Sequence, residues 1–154
     1  MPTPESVRDA LQPLLRSVSV LDLSDPAAAE RALEAAHPFA GLGPLGATLF
    51  AARDEGWLTP KRATPELTFG RLAKATPETH GLSIDAVDMT GAGGEHIHPN
   101  GEVSLCFAES GDPRFVGRPA GWVIVPPGSR HVPEVTGGRM LILYFLPAGA
   151  ITFV

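Results

Sequence analysis

Residues 93–102, GGEHIHPNGE, carry two histidines one residue apart and a glutamate four positions after the second. On a β-strand, alternate side chains lie on the same face, so the imidazoles of His96 and His98 can reach one point in space. The turn Pro99-Asn100-Gly101, with Asn-Gly at its centre, is expected to fold the chain back and bring Glu102 beside them. Two imidazoles and one carboxylate can bind a divalent metal ion and leave coordination positions open.

A third histidine follows a second pattern of glycine and proline. Residues 121–131, GWVIVPPGSRH, combine a glycine, a short apolar strand, a Pro-x-Gly turn and a histidine. A neighbouring strand of this kind would bring the imidazole of His131 to the same point. An isolated His-x-His pair is more often a surface or packing feature than a metal site, but four ligand-type residues in two segments favour metal. We therefore predict a divalent ion (Fe, Zn, Mn or Ni) bound by His96, His98, Glu102 and His131.

The first 58 residues show helical patterns. Thr3 can cap a helix whose first residue is Pro4, and Pro13 should kink or split that helix. Asp25-Pro26 repeats the start signal before AAAERALEAAH, a run of high helix propensity. A third helix is expected over residues 45–55. Residues 59–66, TPKRATPE, then form a polar connector.

Beyond the connector the apolar period changes to two, which indicates strands. Turn signals separate seven or eight of them, so we predict a mainly β fold, a sandwich or small barrel. LILYFL is apolar on both faces and is expected in the middle of a covered sheet. We expect one domain, with a helical segment (residues 1–58) packed on a β-barrel (residues 66–154). The strand candidates are residues 67–72, 82–89, 103–108, 114–117, 122–125, 131–135, 140–146 and 151–154.

Composition narrows the function classes. The net charge is −5 and no dense Lys/Arg block is present, which argues against a nucleic-acid partner. No apolar run approaches the roughly 18 residues that span a bilayer, so no membrane partner is expected. The N-terminus has neither the basic start nor the apolar stretch of a signal peptide, which favours a cytoplasmic protein. Cys106 is the only cysteine, so an internal disulfide is impossible.

Several residues are candidates for contact with a small substrate. Ser104 and Cys106 should share the strand face that looks into the barrel, and Cys106 is interpreted as a small buried hydrophobe. Tyr144, the only tyrosine, lies in an apolar strand and can offer its hydroxyl, so it joins Glu102 as a candidate catalytic residue. Arginine is the usual partner of a substrate carboxylate. The candidate substrate-binding residues are Arg130, Arg139 and Ser104.

The two segments together resemble the cupin superfamily. Departures from the cupin pattern lie in loop spacings and at Val135, where an asparagine often follows the second motif. The resemblance implies a single-domain cupin, a small β-barrel or jelly roll, with a metal site built from both motifs. The first motif corresponds to Gly91, His96, His98, Glu102 and Gly111, and the second to Gly121, Pro126, Gly128 and His131.

A closer resemblance is to the bacterial 4-hydroxylaminobenzoate lyase family. It is carried by GGEHIHPNGEV, GWVIVPPGSRHVPEV and GGRMLILYFLPAGAI, preceded by a helical segment. It implies a metal-dependent lyase that converts 4-hydroxylaminobenzoate to protocatechuate with release of ammonia, in nitroaromatic degradation. Two alternatives stay open: an Fe(II)-dependent cupin dioxygenase acting on a small aromatic or thiol acid, and a non-catalytic metal- or ligand-binding cupin module. The class also leads us to expect a homodimer, with the helical N-terminus and the C-terminal AITFV covering apolar surface.

Overall fold

The computed structural model describes residues 1–154 and begins with four helices. Thr3 caps the first helix and Asp25 caps the third, each through a side chain that accepts a backbone N–H. The predicted break near Pro13 is confirmed, because one helix ends at Ala10 and the next begins at Gln12. The helices are α1 (Pro4–Ala10), α2 (Gln12–Ser19), α3 (Pro26–Ala36) and α4 (Gly43–Asp54), with short 3₁₀ turns at Phe39–Gly41 and Pro77–Thr79.

Nine strands follow, arranged in two antiparallel sheets. The larger sheet has six strands in the order β1-β2-β3-β8-β5-β6, and the smaller has the order β7-β4-β9. LILYFL lies in β8, between β3 and β5, so its predicted central position is confirmed. The strands are β1 (Lys61–Thr64), β2 (Leu67–Ala73), β3 (Leu82–Ala92), β4 (His96–His98), β5 (Glu102–Phe115), β6 (Gly121–Val125), β7 (Ser129–His131), β8 (Glu134–Pro147) and β9 (Thr152–Phe153).

The two faces of the larger sheet have different partners, because side chains alternate along each strand. Leu141, Leu143 and Phe145 of β8 pack in one core with the helices. Met140, Ile142 and Tyr144 point the other way, into a second apolar cluster on the face toward the smaller sheet. The expected mainly β fold with a helical N-terminal segment is confirmed.

Gly46 explains how α4 comes close to the sheet. A Cβ atom at this position would lie 2.8 Å from the ring of Phe107 on β5, so a larger residue would push the helix away. α4 also brings Arg53 to Asp88 of β3 and Glu109 of β5, at 3.2 and 2.6 Å. Apolar packing and ion pairs therefore both hold the helical segment on the sheet.

Strand boundaries differ from the sequence-based expectation in three places. Residues 103–108 and 114–117 form one strand, β5, because β-bulges absorb the residues around Gly111 and Pro113 that suggested a break. The candidate at residues 131–135 is divided between β7 and β8. β1 falls inside the predicted connector, and as an exposed edge strand it has no apolar alternation that would reveal it.

None of the helices is both long and apolar enough to cross a membrane.

Candidate metal centre

Backbone pairing places the three histidines together. β4 and β7 are antiparallel neighbours, and His96 lies directly opposite His131. His98 shares the face of His96, two residues along the strand. The His-x-His segment and His131 are therefore brought together by one strand pair.

The turn after His98 delivers Glu102 from the other sheet. The backbone N–H of Gly101 donates to the carbonyl of His98 at 3.1 Å, so Pro99 and Asn100 occupy the centre of the turn. This corrects the expected Asn-Gly centre. Gly101 follows with φ of 85°, a left-handed conformation that glycine adopts without strain. Glu102 then begins β5 in the larger sheet, so the turn connects the two sheets and does not form a hairpin within one.

The donor atoms converge closely. The Nε2 atom of His131 lies 3.1 Å from Nε2 of His96 and 3.1 Å from Nε2 of His98. Oε2 of Glu102 lies 3.0 Å from Nε2 of His98 and 3.7 Å from Nε2 of His131. Two nitrogens at the roughly 2.0–2.1 Å of a Zn–N bond lie about 3 Å apart when the angle between the bonds is near 95°. The three histidines are thus positioned to bind a metal ion.

Burial makes this arrangement costly without a cation. The side chain of Glu102 is 0% exposed, and neither of its oxygens has a hydrogen-bond partner. The nearest nitrogen, His98 Nε2, does not meet it in hydrogen-bond geometry. A buried carboxylate without donors is strongly unfavourable, and a metal ion would supply the missing positive charge. The donor set of three imidazoles and one carboxylate fits a divalent ion.

Burial favours the neutral form of two of the three imidazoles, those of His96 and His131. Burial lowers the pKa of His96, and the neighbouring His98 and His131 lower this pKa further. Burial also lowers the pKa of His131. Nδ1 of His96 lies 3.0 Å from the carbonyl of Gly94, which orients the ring so that Nε2 faces the centre. A neutral imidazole is the form in which histidine ligates metals.

A cavity of about 700 Å³ opens beside this centre. His96, His98 and Glu102 form part of its wall, and half of its 18 lining residues are hydrophobic. Phe153 of β9 stands at its rim, with its ring centroid 5.7 Å from that of His96 and 70% of its surface exposed. An apolar chamber with a few polar groups at one wall is the usual form of a small-molecule site.

Three residues singled out in β5 and β8 lie on the cavity side of the larger sheet. Ser104 is fully buried, is not among the residues that line the cavity, and its hydroxyl has no hydrogen-bond partner, so a substrate role for it stays a prediction. Tyr144 lines the cavity, lies opposite Ser104 in the strand register, and has its pKa raised well above the usual value by burial. Burial likewise raises the pKa of Cys106, which packs as a small apolar residue in agreement with its interpretation.

The two arginines singled out from the sequence lie elsewhere. Arg130 is on the opposite face of β7 from His131, exposed, and pairs with Glu95 at 2.8 Å. Arg139 lies 2.9 Å from Asp88, on the helix-covered side of the larger sheet. Neither lines the cavity, and a substrate role for them stays a prediction.

Sequence reasoning missed the charged residues that do line the cavity: Lys61, Arg71 and Asp85. Arg71 and Asp85 are cross-strand partners on β2 and β3. Their opposite charges on consecutive strand candidates offered only a weak signal, because opposite-charge pairs also stabilise sheet surfaces that face no cavity. Lys61 lay in the segment expected to be a connector.

Comparison with known proteins agrees with the second resemblance. The family model described as "PnbB: 4-hydroxylaminobenzoate lyase" matches residues 39–153. A 4-hydroxylaminobenzoate lyase of Pseudomonas putida is 33% identical over 116 residues, covering 64% of this chain and 66% of that protein. One of Nocardioides sp. (strain LMS-CY) is 37% identical over 99 residues, covering 58% and 57%. The chain thus spans less than two thirds of the length of these relatives.

Solved structures with a similar fold include an RmlC-like cupin protein of Ralstonia eutropha JMP134. It is 16% identical with a TM-score of 0.44, covering 64% of this chain and 66% of that chain. An oxalate oxidase in complex with the substrate analogue glycolate is 20% identical with a TM-score of 0.42, covering 60% and 57%. Because the family model matches well over half of the 154 residues, the chain belongs to the 4-hydroxylaminobenzoate lyase family.

Proposed function

We propose that this protein is a metal-dependent lyase that converts 4-hydroxylaminobenzoate to protocatechuate and ammonia. The observation that carries the proposal is the convergence of His96, His98, His131 and Glu102 at the wall of a largely apolar cavity, in a member of this family. The cavity volume of about 700 Å³ accommodates a single benzoate ring with its substituents.

The reaction balances without an external oxidant or reductant. One 4-hydroxylaminobenzoate and one water give one protocatechuate and one ammonia. The N–O bond breaks and nitrogen takes the bonding electrons, while the ring gains a hydroxyl at the neighbouring carbon and exchanges its nitrogen for oxygen. Nitrogen is reduced and the ring is oxidised within the same molecule, so the chain needs no nucleotide or flavin site.

The proposed ligands are His96, His98, His131 and Glu102. A divalent ion bound there would act as a Lewis acid toward the oxygen of the N–O group or of a water molecule. Glu102 is the only acidic side chain among these ligands, so it would offset the charge of the ion and could accept a proton from water at its second oxygen. This is the basis of its proposed catalytic role beside that of a ligand.

Tyr144 and Ser104 are proposed to handle the substrate's polar groups on the cavity face. Burial keeps the Tyr144 phenol neutral, so its Oη–H can donate a hydrogen bond or a proton to the departing hydroxyl. The Ser104 hydroxyl is buried behind the cavity wall and has no hydrogen-bond partner within the protein, so a substrate group or a water would have to enter beside Tyr144 to meet it. The apolar side chains of Leu67, Val87 and Met89 would pack on the ring and exclude bulk water.

The test is turnover by purified protein with its metal content measured. Incubation with 4-hydroxylaminobenzoate without oxygen should give protocatechuate and ammonia in equal amounts, followed by chromatography and an ammonia assay. Chelation should abolish turnover and readdition of one metal should restore it. Oxygen consumption with product formed only in air would replace the lyase by the dioxygenase. Binding without turnover under either condition would leave a non-catalytic module.

A further inference from the structure

The charged groups of the cavity other than Glu102 lie together on β1, β2 and β3. Lys61, Arg71 and Asp85 line the cavity and carry a combined charge of +1. Lys61 is paired through the backbone with Phe69 of β2, and its ammonium takes part in no ion pair or hydrogen bond. One cation of this group is therefore available to an anionic ligand.

Arg71 is held in place with one edge unused. Its Nε lies 2.8 Å from Oδ1 of Asp85 and its Nη2 lies 3.1 Å from Oδ2, a two-point contact that fixes the guanidinium plane. Nη1 makes no hydrogen bond, so the edge formed by Nη1 and Nη2 can still meet a planar carboxylate. An arginine oriented by one carboxylate is well prepared to bind a second one.

The strand register sets the separation between this group and the metal centre. Arg71 is opposite Asp85, Asp85 is opposite Tyr144, and Tyr144 is opposite Ser104, two residues from Glu102. Three strand spacings of about 4.8 Å separate the backbones at Arg71 and Ser104 by about 14 Å. The long side chain of Arg71 shortens that gap, so a rigid ring with polar groups at its two ends can lie between them.

We propose that Lys61 and Arg71 form the carboxylate subsite of the cavity. They would select aromatic acids whose reacting nitrogen is para to the carboxylate and faces His96, His98, His131 and Glu102. This deepens the proposed function and rests on it for the identity of the substrate. Independently of the reaction, Lys61 and Arg71 should make the cavity bind an aromatic carboxylate more tightly than the corresponding neutral amide.

Calorimetric binding of two unreactive probes tests that claim without turnover. The metal-loaded protein is titrated with 4-hydroxybenzoate and with 4-hydroxybenzamide, which differ only in the charged group. The wild type should prefer the acid by roughly tenfold or more, the range expected for hydrogen bonds to a charged group. Lys61→Gln and Arg71→Gln should each lose most of that preference while binding the amide as before.

Arg62→Gln is the matched control, because Arg62 is next to Lys61 on β1 but does not line the cavity. It should bind both probes like the wild type. Lys61 is exposed, so its variant tests the proposal even if Arg71→Gln does not fold. The subsite is overturned if Lys61→Gln and folded Arg71→Gln still prefer the acid over the amide as strongly as the wild type does. It is also overturned if only Arg130→Gln loses that preference.

The two proposals fail in different ways. A wild type that prefers the acid but does not turn over 4-hydroxylaminobenzoate contradicts the lyase and keeps the subsite. A wild type that turns over 4-hydroxylaminobenzoate, with equal affinity for acid and amide, keeps the lyase and removes the subsite.

Discussion

His98 Nε2 lies 3.0 Å from Glu102 Oε2, although the two residues belong to strands of different sheets. The link between them is a single tight turn, and His131 comes from a third strand. An ion bound by these side chains would therefore connect the two sheets. Since binding to a folded site adds to the stability of the fold, metal content and thermal stability should change together.

Loss of a single histidine should remove most of the metal. His96→Ala and His131→Ala should each weaken binding on the order of 100-fold or more, because even groups that only support a metal ligand account for about 10- to 100-fold. Elemental analysis and competition with a chelator measure this. His80→Asn is the control, since His80 is exposed and has φ of 56°, a conformation that asparagine tolerates. Equal metal content in all four proteins would contradict the site.

Glu102→Gln should stabilise the metal-free protein but reduce the stability that the protein gains when metal binds. In protein stripped of metal it removes a buried negative charge without a hydrogen-bond donor, so the free energy of unfolding should rise by about 1 kcal/mol or more. That corresponds to a midpoint about 2 to 4 °C higher. With metal added, the variant should gain less stability than the wild type, because the anionic ligand is lost. Thermal unfolding with and without metal measures both, and a lower midpoint in the stripped variant would contradict the first expectation.

Much of this site could be predicted from the sequence because its ligands lie in short strands with simple periodicity. The spacing of His96 and His98 fixes a shared face, and the turn at residues 99–101 limits where Glu102 can lie. The position of His131 depends on which strands pair, and the glycine and proline pattern of residues 121–131 was the available signal. Local patterns were therefore enough for His96, His98 and Glu102, whereas His131 needed the second motif and its resemblance to a known family.

The charged residues that line the cavity could not be predicted in the same way. Arg71 reaches the cavity because β2 joins the sheet beside β3, a pairing between segments that no local pattern specifies. Arg139 was a candidate from the sequence, but β8 turns it to the face covered by α4, where it meets Asp88. Which arginine faces a cavity is decided by the global strand order and not by the residues around it.

Tyr144 should stay neutral at a pH where an ordinary tyrosine ionises. Burial raises its pKa in the folded protein above the unfolded value of about 10. Tyr144 therefore leaves the stability of the folded protein independent of pH below the unfolded pKa of about 10. Above that pH the stability falls until the pH reaches the higher pKa of the folded state. Because Tyr144 is the only tyrosine, the tyrosinate absorbance reports on it alone. Native protein should show no ionisation near pH 10 and denatured protein should show one group, a signal that Tyr144→Phe removes.

Asp88→Ala should destabilise the fold without changing metal content. Asp88 is 7% exposed and lies 2.9 Å from Arg139 and 3.2 Å from Arg53, so its removal leaves two guanidinium groups short of a partner beneath α4. The expected loss is about 1 to 3 kcal/mol, in the range for leaving buried polar groups unsatisfied. Denaturant unfolding measures it, with Asp112→Ala as the control at an exposed aspartate. Equal stability of the two variants would contradict this expectation and would mean that the ion pairs of Asp88 contribute little to holding α4 on the sheet.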